Sequence, residues 1–203
     1  MSGEGYATPQ PHSRSRPTVI EVAVLGHALS FWVDRGVFSS QHLDPGTEIL
    51  LAALPPVAGR AVLDMGAGWG AIGLSLSRLG RAGRVVLIDV NERAVTLVRE
   101  TARQWGISAD VRLADGYQGL AEDERFDLIV TNPPVRSGKG TYYPWVEQAS
   151  AHLAKGGSFW AVIRTKQGAA SLARHMQQHL DRCRRVARQS GYEVWVGDRR
   201  EAP

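Results

Sequence analysis

The chain has 203 residues, 43% of them hydrophobic, a size that suits one domain with a substantial core and leaves little room for a second. Its single cysteine, Cys183, excludes an internal disulfide and a cysteine-based metal cluster, so we expect no metal site and a reducing, cytoplasmic location. The net charge of +4 permits contact with RNA, whereas the lack of a signal-peptide core, or of any run near the roughly 20 apolar residues of a membrane span, predicts no membrane association.

The N-terminal part divides into a tail and a hairpin. Residues 1–17 are rich in Pro, Ser and Gly and carry too little apolar surface to repay the entropy of ordering, so we expect a disordered tail. Two runs typical of β-strands, Thr18 to Leu25 and Ala28 to Val33, flank Gly26-His27. This pattern predicts a β-hairpin within residues 18–35, ahead of the main sheet.

The folded domain, expected over residues 18–203, alternates helices with strands. Asp44-Pro45 is typical of a helix start, since an N-cap side chain precedes proline at the first helical position. Asn91 caps a further helix, which Gly106 ends. Spacings of three and four predict two later helices, one with Tyr142, Val146, Ala149 and Leu153 on a face and one with Ala169, Leu172, Ala173, Met176 and Leu180.

Seven further runs predict the strands of the main sheet. They cover residues 62–65, 84–88, 111–113, 126–130, 159–163 (after a Gly156-Gly157 turn), 184–189 and 192–196. The last two runs lie too close together for a crossover helix and should therefore pair antiparallel. The order predicts an α/β fold with a doubly wound seven-stranded sheet, mostly parallel with an antiparallel C-terminal strand.

The stretch from Val62 to Gly73 predicts a cofactor site, because an apolar strand ends in closely spaced glycines and a helical pattern follows. Such glycines allow a sharp turn and a close approach of the backbone to a nucleotide cofactor, although an ordinary strand-to-helix connection has the same pattern. Asp64 stands at the end of the strand, where a carboxylate suits a sulfonium or amino group and suits a pyrophosphate badly. The stretch therefore favours S-adenosylmethionine over a dinucleotide.

Two further carboxylates stand at the carboxyl ends of predicted strands, where the ligand of a doubly wound sheet lies. Asp89 is suited to accept hydrogen bonds from ribose hydroxyls, or else it caps the next helix. Asp115 is suited to accept from an adenine amino group while Gly116 leaves room for the ring, or else the pair forms a turn. Their convergence with the glycine loop on one edge is the main evidence for a site.

Asn132-Pro133-Pro134 follows the fourth strand of the main sheet and predicts the class of acceptor. The Asn132 side-chain carbonyl and the Pro133 backbone carbonyl can accept hydrogen bonds from both N–H groups of a planar amine. These hydrogen bonds direct the nitrogen lone pair toward a methyl group. A plain Asn-Pro turn is the alternative. We therefore assign Asn132 and Pro133 as catalytic residues, acting by orientation without a covalent intermediate.

These motifs resemble those of class I S-adenosylmethionine-dependent methyltransferases: Leu63 to Gly70 is similar to their first motif, and Asp89 to their acidic second-strand residue. Residues 132–139, with 37–39, 44–47 and 162–168, are similar to the branch that methylates guanine N2 in small-subunit ribosomal RNA. The resemblance implies a Rossmann-like fold, S-adenosyl-L-methionine as cofactor and RNA as partner, and leaves the oligomeric state open. The expected cofactor-binding set is Asp64, Gly66, Ala67, Gly68, Gly70, Asp89, Val90, Asp115, Gly116 and Asn132.

The chain departs from this resemblance at Val135, where many relatives that methylate amino groups carry an aromatic residue that stacks on the target base. Stacking must then come from elsewhere, with Phe38, Tyr142, Tyr143 and Trp145 as candidates. Cations near the motifs could hold RNA phosphates, although solvated loop charges have the same appearance. The expected substrate-binding set is Phe38, Arg136, Lys139, Tyr143, Arg164 and Lys166.

Three other functions fit parts of the sequence. The Asn-Pro-Pro device also suits a methyltransferase acting on a protein glutamine amide or a small-molecule amine. A non-catalytic nucleoside-binding module in an RNA assembly would need the glycine loop and the basic surface, but not Asn132. A nicotinamide oxidoreductase is least favoured, because Asp64 has the wrong charge for a pyrophosphate.

Overall fold

A computed structural model of the protein describes residues 14–37, 39 and 41–200. Most of the expected tail, residues 1–13, and the candidate residue Phe38 lie outside this part of the chain. Within it, no helix combines the length and the apolar character that a membrane span requires.

The predicted hairpin is confirmed. Strand β1 (Thr18–Val24) pairs antiparallel with β2 (His27–Val33) around a two-residue turn at Leu25-Gly26. The hairpin packs on the main domain through Phe31, whose ring meets the rings of Trp69 and Trp105 edge-on at 4.7 Å each. Ahead of β1, Ser15 Oγ donates a hydrogen bond of 2.6 Å to Asp34.

The main sheet has the predicted seven strands and the predicted mixture of directions. Its order is β5-β4-β3-β6-β7-β9-β8, and every neighbouring pair is parallel except those made by β9, which runs antiparallel to both β7 and β8. The strands are β3 (Val62–Met65), β4 (Val85–Asp89), β5 (Asp110–Leu113), β6 (Phe126–Thr131), β7 (Leu153–Arg164), β8 (Asp181–Gln189) and β9 (Tyr192–Asp198).

Helices cover both faces of the sheet, so alternate residues of its central strands enter two separate apolar cores. Val62 points into a core with the hairpin and the first three helices, whereas Leu63 points into a core with the last three. The helices are α1 (Pro45–Ala53), α2 (Gly73–Arg78), α3 (Glu92–Trp105), α4 (Lys139–Glu147), α5 (Ala149–His152) and α6 (Ala169–His179).

The predicted helix boundaries follow from local capping. The Asp44 side chain accepts a hydrogen bond from the Thr47 amide at 3.1 Å, which starts α1. Asn91 accepts from two amides of the first turn of α3, and Gly106 ends that helix with a left-handed φ of 64°. These starts and stops depend on residues within one turn, which is why the sequence predicts them.

The prediction was wrong at Leu153, which was expected on a helix face and instead begins β7. The predicted turn at Gly156-Gly157 lies inside this strand, where the pairing with β6 shifts register between Phe126 and Leu128. A Cβ at Gly157 would lie 2.9 Å from the carbonyl oxygens of Ala154 and Phe126, so only glycine allows this approach. Leu153 is fully buried against Phe126, and this tertiary contact overrides the helical spacing.

Candidate active site

A cavity of about 910 Å³ opens at the carboxyl ends of the parallel strands, bounded by the loops after β3, β4, β5 and β6 and by the end of β7. This is the edge at which doubly wound sheets bind ligands. Eleven of the predicted site residues line the cavity: Gly66, Ala67, Gly68, Asp89, Val90, Asp115, Gly116, Asn132, Pro133, Arg136 and Arg164. Asp64, Gly70, Lys139, Tyr143 and Lys166 do not line it.

Asp89 joins the glycine loop to the end of β4. Its Oδ2 accepts a hydrogen bond of 2.7 Å from the Gly68 amide, and its Oδ1 accepts one of 2.8 Å from the Asn91 amide. Gly66 and Gly68 have φ values of 70° and 57°, a left-handed conformation that favours glycine. Burial raises the pKa of Asp89 to about 6, against the opposing effect of the hydrogen bonds donated by these amides.

Asp64 lies beneath the glycine loop and does not face the cavity. Its side chain is fully buried, and its Oδ2 accepts a hydrogen bond of 2.8 Å from the Gly73 amide at the start of α2. Its other oxygen, Oδ1, has no hydrogen-bond partner in the described part of the chain. Burial raises the pKa of Asp64 to about 7. Asp64 therefore supports the loop from below, and its expected contact with the cofactor stays a prediction.

Gly70, also expected to bind the cofactor, has a packing role. A Cβ at this position would lie 2.8 Å from the Leu74 side chain and 3.2 Å from that of Val98. The glycine thus lets α2 and α3 come together behind the loop.

Trp145, from α4, spans the space between the glycine loop and the loop that follows β5. A Cβ added at Gly66 would lie 2.9 Å from its ring, and one added at Gly116 would lie 3.0 Å from its Nε1. The Tyr117 hydroxyl donates a hydrogen bond of 2.7 Å to the Trp145 carbonyl oxygen and holds this part of α4 in place. Of the aromatic candidates for base stacking, Tyr142 is buried in the core, and Trp145 is the one among the described residues that lines the cavity.

Asn132, which follows β6 beside the end of β3, also lines the cavity and lies in a hydrogen-bond network. Its Nδ2 donates to Asp44 Oδ2 at 3.0 Å and to Thr47 Oγ1 at 2.9 Å. Asp44 Oδ1 in turn accepts from the Tyr192 hydroxyl at 3.2 Å. Asn132 Oδ1 has no donor among the described residues, so it is free to accept a hydrogen bond from a bound molecule.

The Pro133 carbonyl, the second expected acceptor, accepts a hydrogen bond of 2.8 Å from the Val135 amide. A carbonyl oxygen has two lone pairs, so one remains for a bound amine.

Sequence reasoning missed the partners of Asn132. Asp44 was interpreted as an N-cap, which it is, and as part of the resemblance, without a contact to Asn132, and Tyr192 was interpreted only as a strand residue. A signal was nevertheless present in Gly46, since glycine is unfavourable in a helix without a local reason. A Cβ there would lie 2.6 Å from the Tyr192 ring and 2.8 Å from Asp44 Oδ2.

The carboxylates of the cavity fit a cationic nucleoside better than a pyrophosphate. Asp89 and Asp115 line its glycine-loop end, with Asp64 beneath, and within the described residues no Lys or Arg forms an ion pair with any of the three. A Cβ at Gly68 would meet no atom within 4 Å, so the backbone there is open to a ligand.

Comparison with known proteins decides the family: residues 28–196 match the family model described as methyltransferase small domain. The chain belongs to this methyltransferase family. The matched range contains the whole lining of the cavity, from Val37 to Tyr192 at the start of β9.

Two relatives of this methyltransferase differ in how much of their own length the chain covers. YbxB of Bacillus subtilis, described as uncharacterized, is 34% identical over 194 residues, which cover 94% of this chain and 96% of YbxB. Ribosomal RNA small subunit methyltransferase C of Pseudomonas aeruginosa is 34% identical over 168 residues, 81% of this chain and 49% of the relative. The chain thus spans about half the length of the second relative.

The solved structure of a 16S rRNA N2 G1207 methyltransferase (RsmC) from T. thermophilus, in complex with AdoMet and guanosine, superposes with a TM-score of 0.83. The two sequences are 29% identical, and the match covers 94% of this chain and 52% of that one. The methyltransferase fold predicted from the sequence is therefore confirmed.

The expected substrate-binding cations of this methyltransferase divide between two places. Arg136 and Arg164 line the cavity, and Lys166 lies in an adjoining groove of about 500 Å³ together with Arg164 and Arg188. Lys139, in contrast, turns away and donates a hydrogen bond of 2.7 Å to Ser171 on α6.

Tyr143 also faces α6, where its ring stacks on His175 with centroids 3.9 Å apart. His175 further belongs to a trio with Glu147 and His179 whose possible metal-ligand atoms lie within 4.8 Å of one another. The trio lies outside the cavity, and the expectation of no metal site remains a prediction.

Proposed function

We propose that the protein is an S-adenosylmethionine-dependent methyltransferase that acts on the N2 amino group of guanine in ribosomal RNA. The observation that carries the proposal is Asn132, whose free amide oxygen lies in the same cavity as the nucleoside-type cradle of Gly68 and Asp89. The T. thermophilus relative, which covers nearly all of this chain, has AdoMet and guanosine in its complex. A shared cavity for a donor and an amine acceptor is what direct transfer requires.

The cofactor supplies a methyl group on a sulfonium, and the residues at the glycine-loop end suit its other parts. Asp89 would accept hydrogen bonds from the ribose hydroxyls, since a carboxylate retains lone pairs beyond those used by Gly68 and Asn91. Asp115 would accept from the adenine amino group, with Trp145 closing the space between the two loops. The unpaired carboxylates favour a cation over a pyrophosphate.

At the acceptor end, Asn132 Oδ1 and the Pro133 carbonyl would each accept a hydrogen bond from one N–H group of the guanine amino group. An aromatic amine is a weak nucleophile because its lone pair is conjugated with the ring. Hydrogen bonds from both N–H groups favour the more pyramidal nitrogen that forms during attack, so they stabilise the transition state more than the ground state. The proton leaves after the nitrogen has become cationic, and no strong base is needed beforehand.

Cations at the cavity mouth support RNA as the partner. Arg136 and Arg164 stand at the cavity itself, and Lys166 and Arg188 extend the positive surface along the adjoining groove. Such a surface suits the phosphates that flank a target base, since phosphate contacts position a nucleic acid without reading its sequence.

Labelled methyl transfer tests this function. The purified protein would be incubated with methyl-labelled S-adenosylmethionine and, separately, with small ribosomal subunits, free 16S rRNA, 23S rRNA, total protein and a small-molecule extract, all taken from cells that lack the gene. We expect label in 16S rRNA or its subunit, released by nuclease digestion as N2-methylguanosine. Label confined to protein or small molecules, or no transfer to any of these acceptors, would overturn the proposal.

A further inference from the structure

The orientation of the Asn132 amide decides whether this side chain can serve the proposed reaction. An asparagine amide has an acceptor oxygen and a donor NH₂ group of nearly equal size. Only the oxygen can accept a hydrogen bond from the N–H group of an incoming amine. If the amide were rotated by half a turn, its own NH₂ group would face the NH₂ group of the amine, and neither could accept. A neighbouring group that selects one of the two amide orientations is therefore needed.

Asp44 can select the orientation of the Asn132 amide, because a carboxylate only accepts hydrogen bonds. Asn132 Nδ2 lies 3.0 Å from Asp44 Oδ2, and its second hydrogen is taken by Thr47 Oγ1 at 2.9 Å. In the reversed orientation the amide oxygen would face the carboxylate oxygen at that distance, which is repulsive. Thr47 cannot select in this way, since a hydroxyl either donates or accepts.

The Asp44 carboxylate is itself held in place from two sides. Its Oδ2 also accepts from the Thr47 amide at 3.1 Å, and its Oδ1 accepts from the Tyr192 hydroxyl at 3.2 Å. The side chain is buried, and Gly46 leaves room for the Tyr192 ring beside it. The Arg164 guanidinium lies over the Tyr192 ring, 4.6 Å from its centroid.

We propose that Asp44 is a positioning residue, which orients the Asn132 amide so that its oxygen faces the methyl acceptor. This inference rests on the proposed function for its effect on rate, although the orientation itself is a property of the free protein. The competing explanation is that Asp44 serves only as the N-cap of α1.

Two substitutions separate these explanations, because Asn and Ser are both as good N-caps as Asp. In Asp44→Asn, the Thr47 amide requires an oxygen at the Oδ2 position, so an acceptor for Asn132 Nδ2 remains there. The introduced NH₂ group can then donate to the Tyr192 hydroxyl. In Asp44→Ser, a single oxygen one bond closer to the backbone can still cap α1, but the oxygen that binds Tyr192 is lost. A hydroxyl also both donates and accepts, so it no longer selects the orientation of the Asn132 amide.

The experiment compares wild type, Asp44→Asn and Asp44→Ser in kcat, in KM for the RNA substrate, in Kd for S-adenosylhomocysteine by calorimetry, and in Tm. For Asp44→Ser we expect kcat to fall about 10- to 100-fold, the size typical of losing an orienting hydrogen-bond partner, with Kd within about twofold and Tm within about 4 °C. Asp44→Asn should retain at least about a third of kcat, because an acceptor remains. Unchanged kcat in Asp44→Ser, or equal loss in both variants, would overturn the proposal.

A second measurement does not depend on activity. The side-chain NH₂ signals of Asn132 can be assigned in ¹⁵N spectra by comparison with Asn132→Ala. Their hydrogens should exchange slowly with solvent in wild type and in Asp44→Asn. In Asp44→Ser the exchange should be at least about tenfold faster. Equal exchange in all three would contradict the role of Asp44. If wild type methylates no RNA, the proposed function fails while this measurement still decides the orientation.

Discussion

Two parts of the cavity lining, the glycine-loop end with Gly68 and Asp89 and the acceptor end with Asn132, are built in different ways. At the glycine-loop end, Gly68 donates a backbone hydrogen bond to Asp89, only 21 residues away, and the loops belong to successive parallel strands. At the acceptor end, Asn132 contacts Asp44 across 88 residues, and Asp44 contacts Tyr192 across 148. The first end uses backbone amides in a local turn, and the second uses side chains from three distant elements.

This difference predicts different sensitivities. The backbone amides of the glycine loop keep their direction as long as the loop keeps its left-handed φ values, so this end should depend on the space around its glycines and on Asp89. The acceptor end depends on which side-chain atoms donate and which accept, so substitutions that preserve shape can still abolish its function. Binding of the cofactor and transfer of the methyl group should therefore be separable by mutation.

The largest expected effect is at the acceptor end. Asn132→Ala removes the free amide oxygen, and we expect kcat to fall at least about 100-fold, as for the loss of one group that stabilises a transition state. The Kd for S-adenosylhomocysteine, measured by calorimetry on the same preparation, should change by less than about twofold, because the glycine-loop end is untouched.

Gln104→Ala provides the control for Asn132→Ala, since it deletes an exposed amide on α3 that does not line the cavity. Full activity of Asn132→Ala, or a loss of cofactor binding that parallels the loss of rate, would show that the two ends are not separable.

The next effect concerns the glycine-loop end. Asp89→Ala removes the carboxylate that joins Gly68 to β4, and we expect Kd for S-adenosylhomocysteine to rise about 10- to 100-fold, since a hydrogen bond to a charged group contributes about 1.5–3 kcal/mol. At saturating cofactor, kcat should stay within about fivefold of wild type, because Asn132 is unchanged. Calorimetry and saturation kinetics measure the two quantities.

Glu92→Ala is the matched control for Asp89→Ala, because it removes an exposed carboxylate from the first turn of α3 without touching the cavity. A large fall in kcat with unchanged Kd in Asp89→Ala would reverse the assignment of the two ends.

The smallest expected effect is a pH dependence confined to the glycine-loop end. The pKa of Asp89 is raised to about 6, so its carboxylate is protonated as the pH falls through this value. The protonated group accepts fewer hydrogen bonds, and affinity for S-adenosylhomocysteine should therefore fall about tenfold between pH 8 and pH 5. Calorimetry at both pH values measures this change, and Asp89→Asn should lose most of it. Equal dependence in wild type and Asp89→Asn would assign the titration to another group.

The same contrast explains which predictions succeeded. Strand β4 and the Asp44, Asn91 and Gly106 caps follow from patterns within a few residues, and the structure has them where the sequence predicts them. Leu153 has an equally clear helical spacing but begins a strand, because its burial against Phe126 depends on an element 27 positions away. Local signals fail where a tertiary contact competes with them.

Asp64 also shows that local signals predict less than the tertiary structure decides, although the motif that contains it was predicted correctly. Its position before the glycines predicts a carboxylate near the cofactor site, and the side chain does lie there. Whether it contacts the ligand or supports the loop depends on the direction in which β3 presents it, and this direction follows from the packing of α2 on the sheet.

The sequence by itself determined the α/β fold, the hairpin, the glycine loop with Asp89, and the Asn132-Pro133-Pro134 segment after β6, because each depends on periodicity or on contacts between near neighbours. Only the tertiary structure decided that Asp64 lies beneath the loop, that Trp145 packs against both Gly66 and Gly116, and that Lys139 and Tyr143 turn toward α6. It also decided the partners of Asn132, since Asp44 and Tyr192 meet only when α1 packs against β9. Donors and acceptors so far apart in the chain leave no periodic signal, and their pairing exists only after the sheet has assembled.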